Sequence, residues 1–158
     1  MTIRDATLED ADDCAAIYAP YVRDTVISLE EEPPTADVMA RRIEGAHVWL
    51  VGELDGRTVG YAYAGTFNER VAYRWTCTVS VYLETGRRRT GAGRALYEAL
   101  VTRVREQGFV RAAAGITVPN EASVGLHRAL GFADVGLFPR VGWKFDAWHD
   151  VAWMQRDL

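Results

Sequence analysis

A glycine-rich segment, Gly86 to Gly93, lies between a strand-like run and a helix-like run and constrains the fold more than any other feature. The run before it, Arg74 to Leu83, alternates polar and apolar residues, as in a strand with one polar face. The run after it has apolar residues at helical spacing and ends at Gly108. Glycines let a backbone approach a ligand closely, and a helix N-terminus attracts anions. The order of strand, loop and helix therefore predicts a phosphate site.

Three consecutive arginines, Arg87 to Arg89, lie within this loop. They supply cations for a phosphate group, but most charge runs are solvated turns, and that interpretation is equally compatible with the loop alone. Two familiar nucleotide loops do not fit. The segment lacks the Gly-Lys-Ser/Thr ending of a P-loop, and the Gly-x-Gly-x-x-Gly spacing of dinucleotide-binding domains is not met after Gly93.

The remaining patterns predict one α/β domain over residues 1–158, with a mixed sheet covered by helices on both faces. Between two of the strand-like runs, Asp55-Gly56 is a strong hairpin signal. Strands are predicted at 2–6, 47–54, 57–67, 74–83, 110–118, 132–138 and 148–155, and helices at 7–22, 35–45, after the glycine-rich loop to 108, and at 121–130.

The composition excludes several classes of partner. A net charge of −4 gives no general attraction for nucleic acid or for an anionic membrane. No run of 18 apolar residues and no signal peptide is present, so we expect a soluble cytoplasmic protein. Cys14 and Cys77 are expected to be buried free thiols. No group of His, Cys, Asp and Glu has metal-ligand spacing, and we expect no metal.

A second segment makes the phosphate loop more specific. Asn120 starts a predicted helix that ends at Gly131-Phe132, with Ser123 and His127 inside it. This segment resembles the later motif of the GNAT superfamily of N-acetyltransferases. The Arg89-Thr90-Gly91-Ala92-Gly93 loop resembles the acetyl-CoA signature of the same superfamily. The resemblance implies acetyl-CoA as co-substrate and a GNAT-like, mostly antiparallel mixed sheet.

One branch of the superfamily is more similar still. The segments 61–65, 72–76, 89–93 and 148–151 resemble the phosphinothricin and methionine sulfoximine acetyltransferases, and the resemblance is weakest before about His47. It implies acetylation of the amine of a small amino-acid-like compound, a role in detoxification or self-resistance, and a homodimer.

The resemblance also implies which residues bind the cofactor. The loop would hold the pyrophosphate, Val81 and Leu83 would extend the sheet to the pantetheine arm, and Asn120 would hydrogen-bond that arm. Asn120 is also an ordinary helix cap, and both roles are compatible. The candidate cofactor residues are Val81, Leu83, Arg88, Arg89, Thr90, Gly91, Ala92, Gly93, Arg94, Asn120 and Ser123.

Two residues occupy the implied catalytic positions. His127 lies where many superfamily members have a tyrosine that protonates the leaving thiolate, and imidazole can do so near neutral pH. Thr78 lies where the phosphinothricin branch has a glutamate base. Because threonine cannot deprotonate an ammonium, a water chain or a carboxylate such as Glu30 takes over, or the amine arrives neutral.

The substrate residues are predicted from the same strand and from one loop. Arg74 begins the polar face that carries Thr78, and a guanidinium matches two oxygens of a carboxylate or phosphinate. Trp75 is a candidate wall of the pocket, although aromatic strand residues are more often core. The loop with Leu29 and Glu30 is expected to shape the pocket.

Three functional hypotheses remain open. The first is an enzyme that acetylates the amine of a small amino-acid-like compound. The second is a coenzyme-A-binding module without transfer, which Thr78 favours. The third is an enzyme that uses a longer acyl-CoA or another nucleophile.

Overall fold

The alternating patterns fold into a mixed sheet with helices on both faces. The computed structural model describes residues 1–87 and 90–158. Within them the strands are β1 (Thr2–Asp5), β2 (Val48–Leu54), β3 (Arg57–Thr66), β4 (Thr76–Leu83), β5 (Arg111–Val118), β6 (Ala133–Lys144) and β7 (Ala147–Asp157). The α-helices are α1 (Ala11–Asp24), α2 (Ala36–Gly45), α3 (Ala92–Glu106) and α4 (Glu121–Ala129).

The strands form a single sheet in the order β1-β2-β3-β4-β5-β7-β6. All neighbouring pairs are antiparallel except β4 and β5, which are parallel and are connected through α3. The predicted mixed, mostly antiparallel α/β sheet is therefore confirmed. The one parallel pair lies in the interior of the sheet, and the glycine-rich loop follows β4, the first of its two strands.

Two apolar layers hold the helices on opposite faces of this sheet. On one face, Leu96, Tyr97 and Leu100 of α3 pack against β-strand residues such as Val79. On the other face, α1 and α2 pack on Trp49, Val51 and Tyr61, among others. Successive strand residues point to opposite faces, so adjacent residues of one strand serve different layers.

Local signals explain several element ends. Asp55 and Gly56 both have positive φ, at 52° and 74°, as the two central residues of a type I′ hairpin turn require. Thr35 caps α2, since its hydroxyl accepts a hydrogen bond from the Val38 N–H at 3.3 Å. The predicted hairpin and the predicted cap are both confirmed.

Two predicted strand limits are wrong. Arg74 and Trp75 precede β4, because a short 3-10 helix at Val71–Tyr73 ends on Arg74. The final hairpin is longer than predicted, since β6 runs to Lys144 and β7 begins at Ala147. Phe145 and Asp146 form its turn at φ 52° and 55° without a glycine, so the usual turn signal is missing from the sequence.

Among the residues that the structure describes, no helix is long and apolar enough to cross a membrane.

Candidate active site

The two central parallel strands separate part-way along their length. β4 and β5 pair only from Thr76 with Arg111 to Thr78 with Ala113. Beyond that point β4 continues to Leu83 alongside β3, and β5 continues to Val118 alongside β7. The facing edges therefore have backbone groups without a strand partner, and an extended ligand can hydrogen-bond to them.

Two adjacent cavities lie at this separation. The cleft cavity, between the strands and α4, is lined by Ile27, Val79, Ser80, Val81, Tyr82, Tyr97, residues 114–117, Asn120, Ser123 and His127. The loop cavity, beside α1 and the loop after it, is lined by Tyr18, residues 27–30, residues 78–80, Tyr82, Gly115, Thr117, Val151 and Trp153. The two share Ile27, Val79, Ser80, Tyr82, Gly115 and Thr117, so a ligand group in one cavity reaches the wall of the other.

The N-terminus of α3 begins at the glycine-rich loop. Gly91 has φ +80°, a left-handed conformation that glycine adopts most readily. Ala95 N–H donates the first helical hydrogen bond, to Gly91 O at 3.0 Å, so the N–H groups of Gly93 and Arg94 precede it. Such N–H groups and the helix dipole favour an anion.

Two side chains around this terminus already have hydrogen-bond or ion-pair partners within the protein. Thr90 Oγ1 donates to Arg87 O at 3.0 Å and accepts weakly from Ala92 N–H at 3.4 Å. Arg94 forms an exposed ion pair with Glu98 at 2.8 Å. The predicted phosphate contacts of Arg88 and Arg89 lie outside the described residues.

Asn120 caps α4 at one end of the cleft cavity. Its Oδ1 accepts a hydrogen bond from Ser123 N–H at 3.1 Å, as the sequence predicts for a helix cap. Asn120 and Ser123 both line the cavity, and so does Val81. Leu83 lies further along β4, where its carbonyl accepts a hydrogen bond from Tyr21 Oη at 2.7 Å. The cofactor roles of these residues stay predictions.

His127 is buried in the wall of the cleft cavity with both ring nitrogens hydrogen-bonded. Its Nδ1 lies 2.7 Å from Ser123 O, so Nδ1 carries the proton and donates to this carbonyl. Its Nε2 lies 2.8 Å from Tyr97 Oη and accepts from that hydroxyl in the neutral ring. Burial lowers the pKa of His127. The neutral imidazole is therefore favoured, and its role as an acid stays a prediction.

Thr78 lies in the wall of the loop cavity, near the point where the two strands separate. Ser80 and Thr117 line the same cavity, so this wall is polar but uncharged. Among the described residues that line the loop cavity, Glu30 is the one carboxylate. The proton of an amine bound here is therefore accepted by Glu30 or by water, or the amine arrives already neutral.

Glu30 is held by a two-point ion pair with Arg42. Arg42 Nη1 donates to Glu30 Oε2 at 3.0 Å, and Arg42 Nη2 donates to Oε1. The hydrogen bonds from Arg42 lower the pKa of Glu30, more than burial raises it. The carboxylate therefore stays charged, and it is a weaker base than an unpaired glutamate.

Arg74 and Trp75 lie apart from both cavities. Both are exposed, Arg74 Nη1 donates to Val71 O at 3.1 Å, and the guanidinium lies 5.4 Å from the centre of the Trp75 ring. Neither residue lines the loop cavity with Thr78. The prediction that Arg74 begins the polar face of β4 is wrong, because the strand starts at Thr76. Its contact with a substrate stays a prediction.

The loop cavity contains residues that sequence reasoning missed. Tyr18 has helical apolar spacing and so resembles core, yet its hydroxyl lies 2.7 Å from Ser28 Oγ in the cavity wall. Trp153 packs over Gly115, where an added Cβ would lie 3.1 Å from the indole. Neither position has a signal in the sequence, because the contact of Tyr18 depends on how the loop after α1 folds back and that of Trp153 on which strands become neighbours. Leu29 and Glu30, which were predicted, do line the cavity.

Comparison with known proteins identifies the family. The family model described as an acetyltransferase (GNAT) domain matches residues 3–153. The chain belongs to the GNAT acetyltransferase family. It is 37% identical to a phosphinothricin N-acetyltransferase of Streptomyces viridochromogenes, with 100% of this chain and 88% of the relative covered. It is 36% identical to an L-methionine sulfoximine/L-methionine sulfone acetyltransferase of Pseudomonas paraeruginosa, with 99% and 94% covered.

A solved GNAT structure has the same fold over nearly the whole chain. It is a phosphinothricin acetyltransferase from Sinorhizobium meliloti in complex with acetyl-CoA. The TM-score is 0.95 at 38% identity, with 99% of this chain and 88% of the other covered. The resemblance to the GNAT superfamily, and to this branch of it, is therefore confirmed. Within the described residues no group of three or more His, Cys, Asp or Glu side chains is arranged to hold a metal ion.

Proposed function

We propose that this protein is an acetyl-CoA-dependent N-acetyltransferase that acetylates the amine of a small amino-acid-like compound of the phosphinothricin or methionine sulfoximine type. The observation that carries the proposal is the separation of β4 from β5 between the N-termini of α3 and α4. The names of the relatives support the substrate class.

The described residues present groups that suit the parts of acetyl-CoA. The N–H groups at the start of α3 favour a pyrophosphate. The edge of β4 beyond Thr78, which has no strand partner on the β5 side, suits the amide groups of a pantetheine arm, and Asn120 lies at the other side of the cleft. Bound there, acetyl-CoA supplies the thioester carbonyl. The loop cavity, which shares a wall with the cleft, then takes the amine.

The reaction forms a C–N bond and breaks the C–S bond of the thioester. The substrate ammonium must lose one proton to solvent before it attacks. The nitrogen loses a second proton as the amide forms, and the departing sulfur gains one, so one proton is released overall. Thr78 cannot accept that proton, and Glu30 is a weak base because Arg42 holds it. We therefore propose that the amine enters as the neutral species present in solution, with water as the proton acceptor.

His127 is the candidate proton donor for the departing sulfur. It must first become an imidazolium, with both N–H groups donating, and burial opposes this. Thiolates with a pKa near that of cysteine, about 8.5, leave without much help, so the contribution of His127 is about tenfold at most.

The test is release of free thiol from acetyl-CoA in the presence of a panel of amines. Phosphinothricin, methionine sulfoximine and methionine sulfone are the expected substrates, with ordinary amino acids as the comparison set. The control omits the amine and measures hydrolysis alone. An absence of acetylated product across the panel, together with calorimetric binding of coenzyme A, would favour the rival binding module. Transfer from a longer acyl-CoA alone would favour the third hypothesis.

We further propose that the protein is a homodimer through the β6–β7 hairpin. β6 is at the edge of the sheet, and large apolar side chains along the β6–β7 hairpin are about half accessible to solvent or more. They are Val135, Leu137, Phe138, Val141, Trp143, Phe145 and Trp148. An apolar edge strand left in water promotes association. Light scattering after gel filtration tests this, and a monomer at every concentration contradicts it.

A cytoplasmic location and a protective role complete the proposal. Cys14 and Cys77 are buried free thiols, as expected in a reducing compartment. Burial raises their pKa to about 12 and about 11, so both are inert. Acetylation converts a cationic amine into a neutral amide. The compound thereby loses a positive charge that a target protein would bind, which supports the protective role.

A further inference from the structure

The chain contains a single lysine, Lys144, against seventeen arginines. Lys144 is the last residue of β6, and only 3% of its surface is exposed. A buried ammonium is costly unless its donors are satisfied. The use of lysine at this one position therefore calls for a specific structural reason.

The reason lies in the geometry of its hydrogen bonds. Lys144 Nζ donates to Val22 O at 2.6 Å, to Thr25 O at 2.8 Å and to Ser28 O at 2.7 Å. An ammonium has three N–H donors around one nitrogen, whereas a guanidinium presents a planar fork. Three carbonyls that converge on one point therefore require lysine rather than arginine.

These carbonyls belong to the end of α1 and to the loop that follows it. Val22 lies in the last turn of α1, where carbonyls lack helical partners and the dipole is negative. Thr25 and Ser28 lie in the loop whose next residues, Leu29 and Glu30, line the loop cavity. One side chain thus fixes the helix end and the cavity wall to the same strand.

A second contact joins β6 to this loop. The side chain of Leu29 packs directly on Gly142, two residues before Lys144 on the same strand. A Cβ added to Gly142 would lie 2.5 Å from Leu29 Cδ1, so a larger residue at this position would displace the Leu29 side chain. Two separate features of β6, a cation and a missing side chain, therefore hold residues 25–30 in place.

We propose that Lys144 is a positioning residue for the amine substrate, which holds the loop of Leu29 and Glu30 in the conformation that forms the loop cavity. This inference rests on the proposed acetyltransferase function. It assigns Lys144 no contact with the reacting atoms. Its loss leaves three carbonyls without their donor and releases the cavity wall, while α3 keeps its structure.

The kinetic test compares Lys144→Met, Lys144→Arg and Gly142→Ala with the unaltered enzyme. We expect Lys144→Met to raise KM for the amine about tenfold or more, with KM for acetyl-CoA changed less than about twofold. Lys144→Arg should be intermediate, because a planar fork reaches fewer of the three carbonyls. Gly142→Ala keeps the lysine and displaces Leu29, so it should raise KM for the amine if Lys144→Met does not fold.

Arg111→Met is the matched control. It removes an exposed cation that pairs with Asp157 at 2.8 Å on the same sheet, away from both cavities, and should change neither KM. Unchanged KM for the amine in both Lys144→Met and Gly142→Ala would overturn the proposal. So would an equal rise in both KM values. An unaltered enzyme that acetylates no amine would instead contradict the proposed function.

A labelling measurement tests the positioning directly, because the chain offers one lysine to an amine-specific reagent. We expect succinimidyl acetate to modify Lys144 slowly in the native protein, as judged by mass spectrometry of its peptide against that of the N-terminus. The N-acetylated product has no free amine and so does not consume the reagent. By filling the loop cavity it should hold residues 25–30 on Lys144 and slow the modification at least severalfold. Modification as fast as in denaturant, or no protection by the product, would contradict the proposal.

Discussion

The most informative single substitution is Thr78→Glu, because it places a carboxylate where the resemblance to the phosphinothricin branch predicts a base. The residue lies in the wall of the loop cavity, and its neighbours leave room for a longer side chain. Its partner on β3 is Gly65, and its partner on β5 is Ala113. A Cβ on Gly65 would lie 3.4 Å from Thr78 Oγ1, so the glycine leaves space beside this side chain.

The expected gain depends on pH. Without a protein base, the rate draws on the neutral fraction of the amine, which falls tenfold for each pH unit below the pKa of the amine. General base catalysis contributes about 10²–10⁴-fold when the base is well positioned. For a glutamate placed by substitution we expect about a tenfold gain in kcat/KM near pH 6, which decreases as the pH approaches the pKa of the amine.

The assay is thiol release from acetyl-CoA with a phosphinothricin-type amine between about pH 5.5 and 9. Thr78→Gln is the matched control, since it has the same size and cannot accept the proton at these pH values. An equal loss of activity in both variants would refute the reasoning and would indicate that Thr78 shapes a pocket for another substrate. A wild-type rate that is flat below pH 7 would also refute it, because a base would then be present.

Three further predictions concern the cofactor loop, the acid and the fold. Gly91→Glu should weaken coenzyme A binding at least tenfold in calorimetry through charge repulsion at the start of α3, whereas Gly91→Asn, which tolerates positive φ, should weaken it less. His127→Phe, which keeps the ring packing, should lower kcat by about tenfold at most, and a 1,000-fold loss would contradict the minor role. Asp10→Asn should destabilise the fold by about 1–3 kcal/mol at pH 7, because buried Asp10 accepts from Arg4 at 2.7 and 2.8 Å. The hydrogen bonds from Arg4 lower the pKa of Asp10 in the folded protein. The stabilisation by the Asp10 carboxylate is therefore fully present above the ordinary pKa of 3.8 and is lost as the pH falls through the lower folded pKa. Below that pH, the melting temperatures of the wild type and of Asp10→Asn should converge.

Signals confined to a few neighbouring residues predicted much of this fold. Asp55-Gly56 specified its turn because its two positive φ angles are a property of the residues themselves. Thr35 and Asn120 specified helix starts because a side-chain oxygen satisfies an N–H group three residues away. Each of these signals is complete within one turn of the chain, so tertiary contacts did not alter it.

The residues that the sequence could not assign depend on distant contacts. Lys144 bonds Val22, 122 residues earlier in the chain, and no local pattern marks such a pairing. Tyr18 has the spacing of a core residue, and its contact with Ser28 becomes visible only when the loop folds back. The strand limit at Thr76 depends on a 3-10 turn in an exposed segment with weak periodicity.

The position of β6 links the outer edge of the sheet to the interior of the site. Its exposed positions include Phe138 and Trp143, on which the proposed dimer rests, and its last residue is the buried Lys144. Between them, Gly142 contacts Leu29 of the cavity wall. Because one strand carries all these contacts, a change in the packing of its exposed side chains can displace Gly142 and Lys144, and with them the wall of the amine pocket. The same change has no comparable route to the start of α3, which lies across β7 and β5 from this edge. Association of two chains should therefore affect the affinity for the amine more than the affinity for coenzyme A.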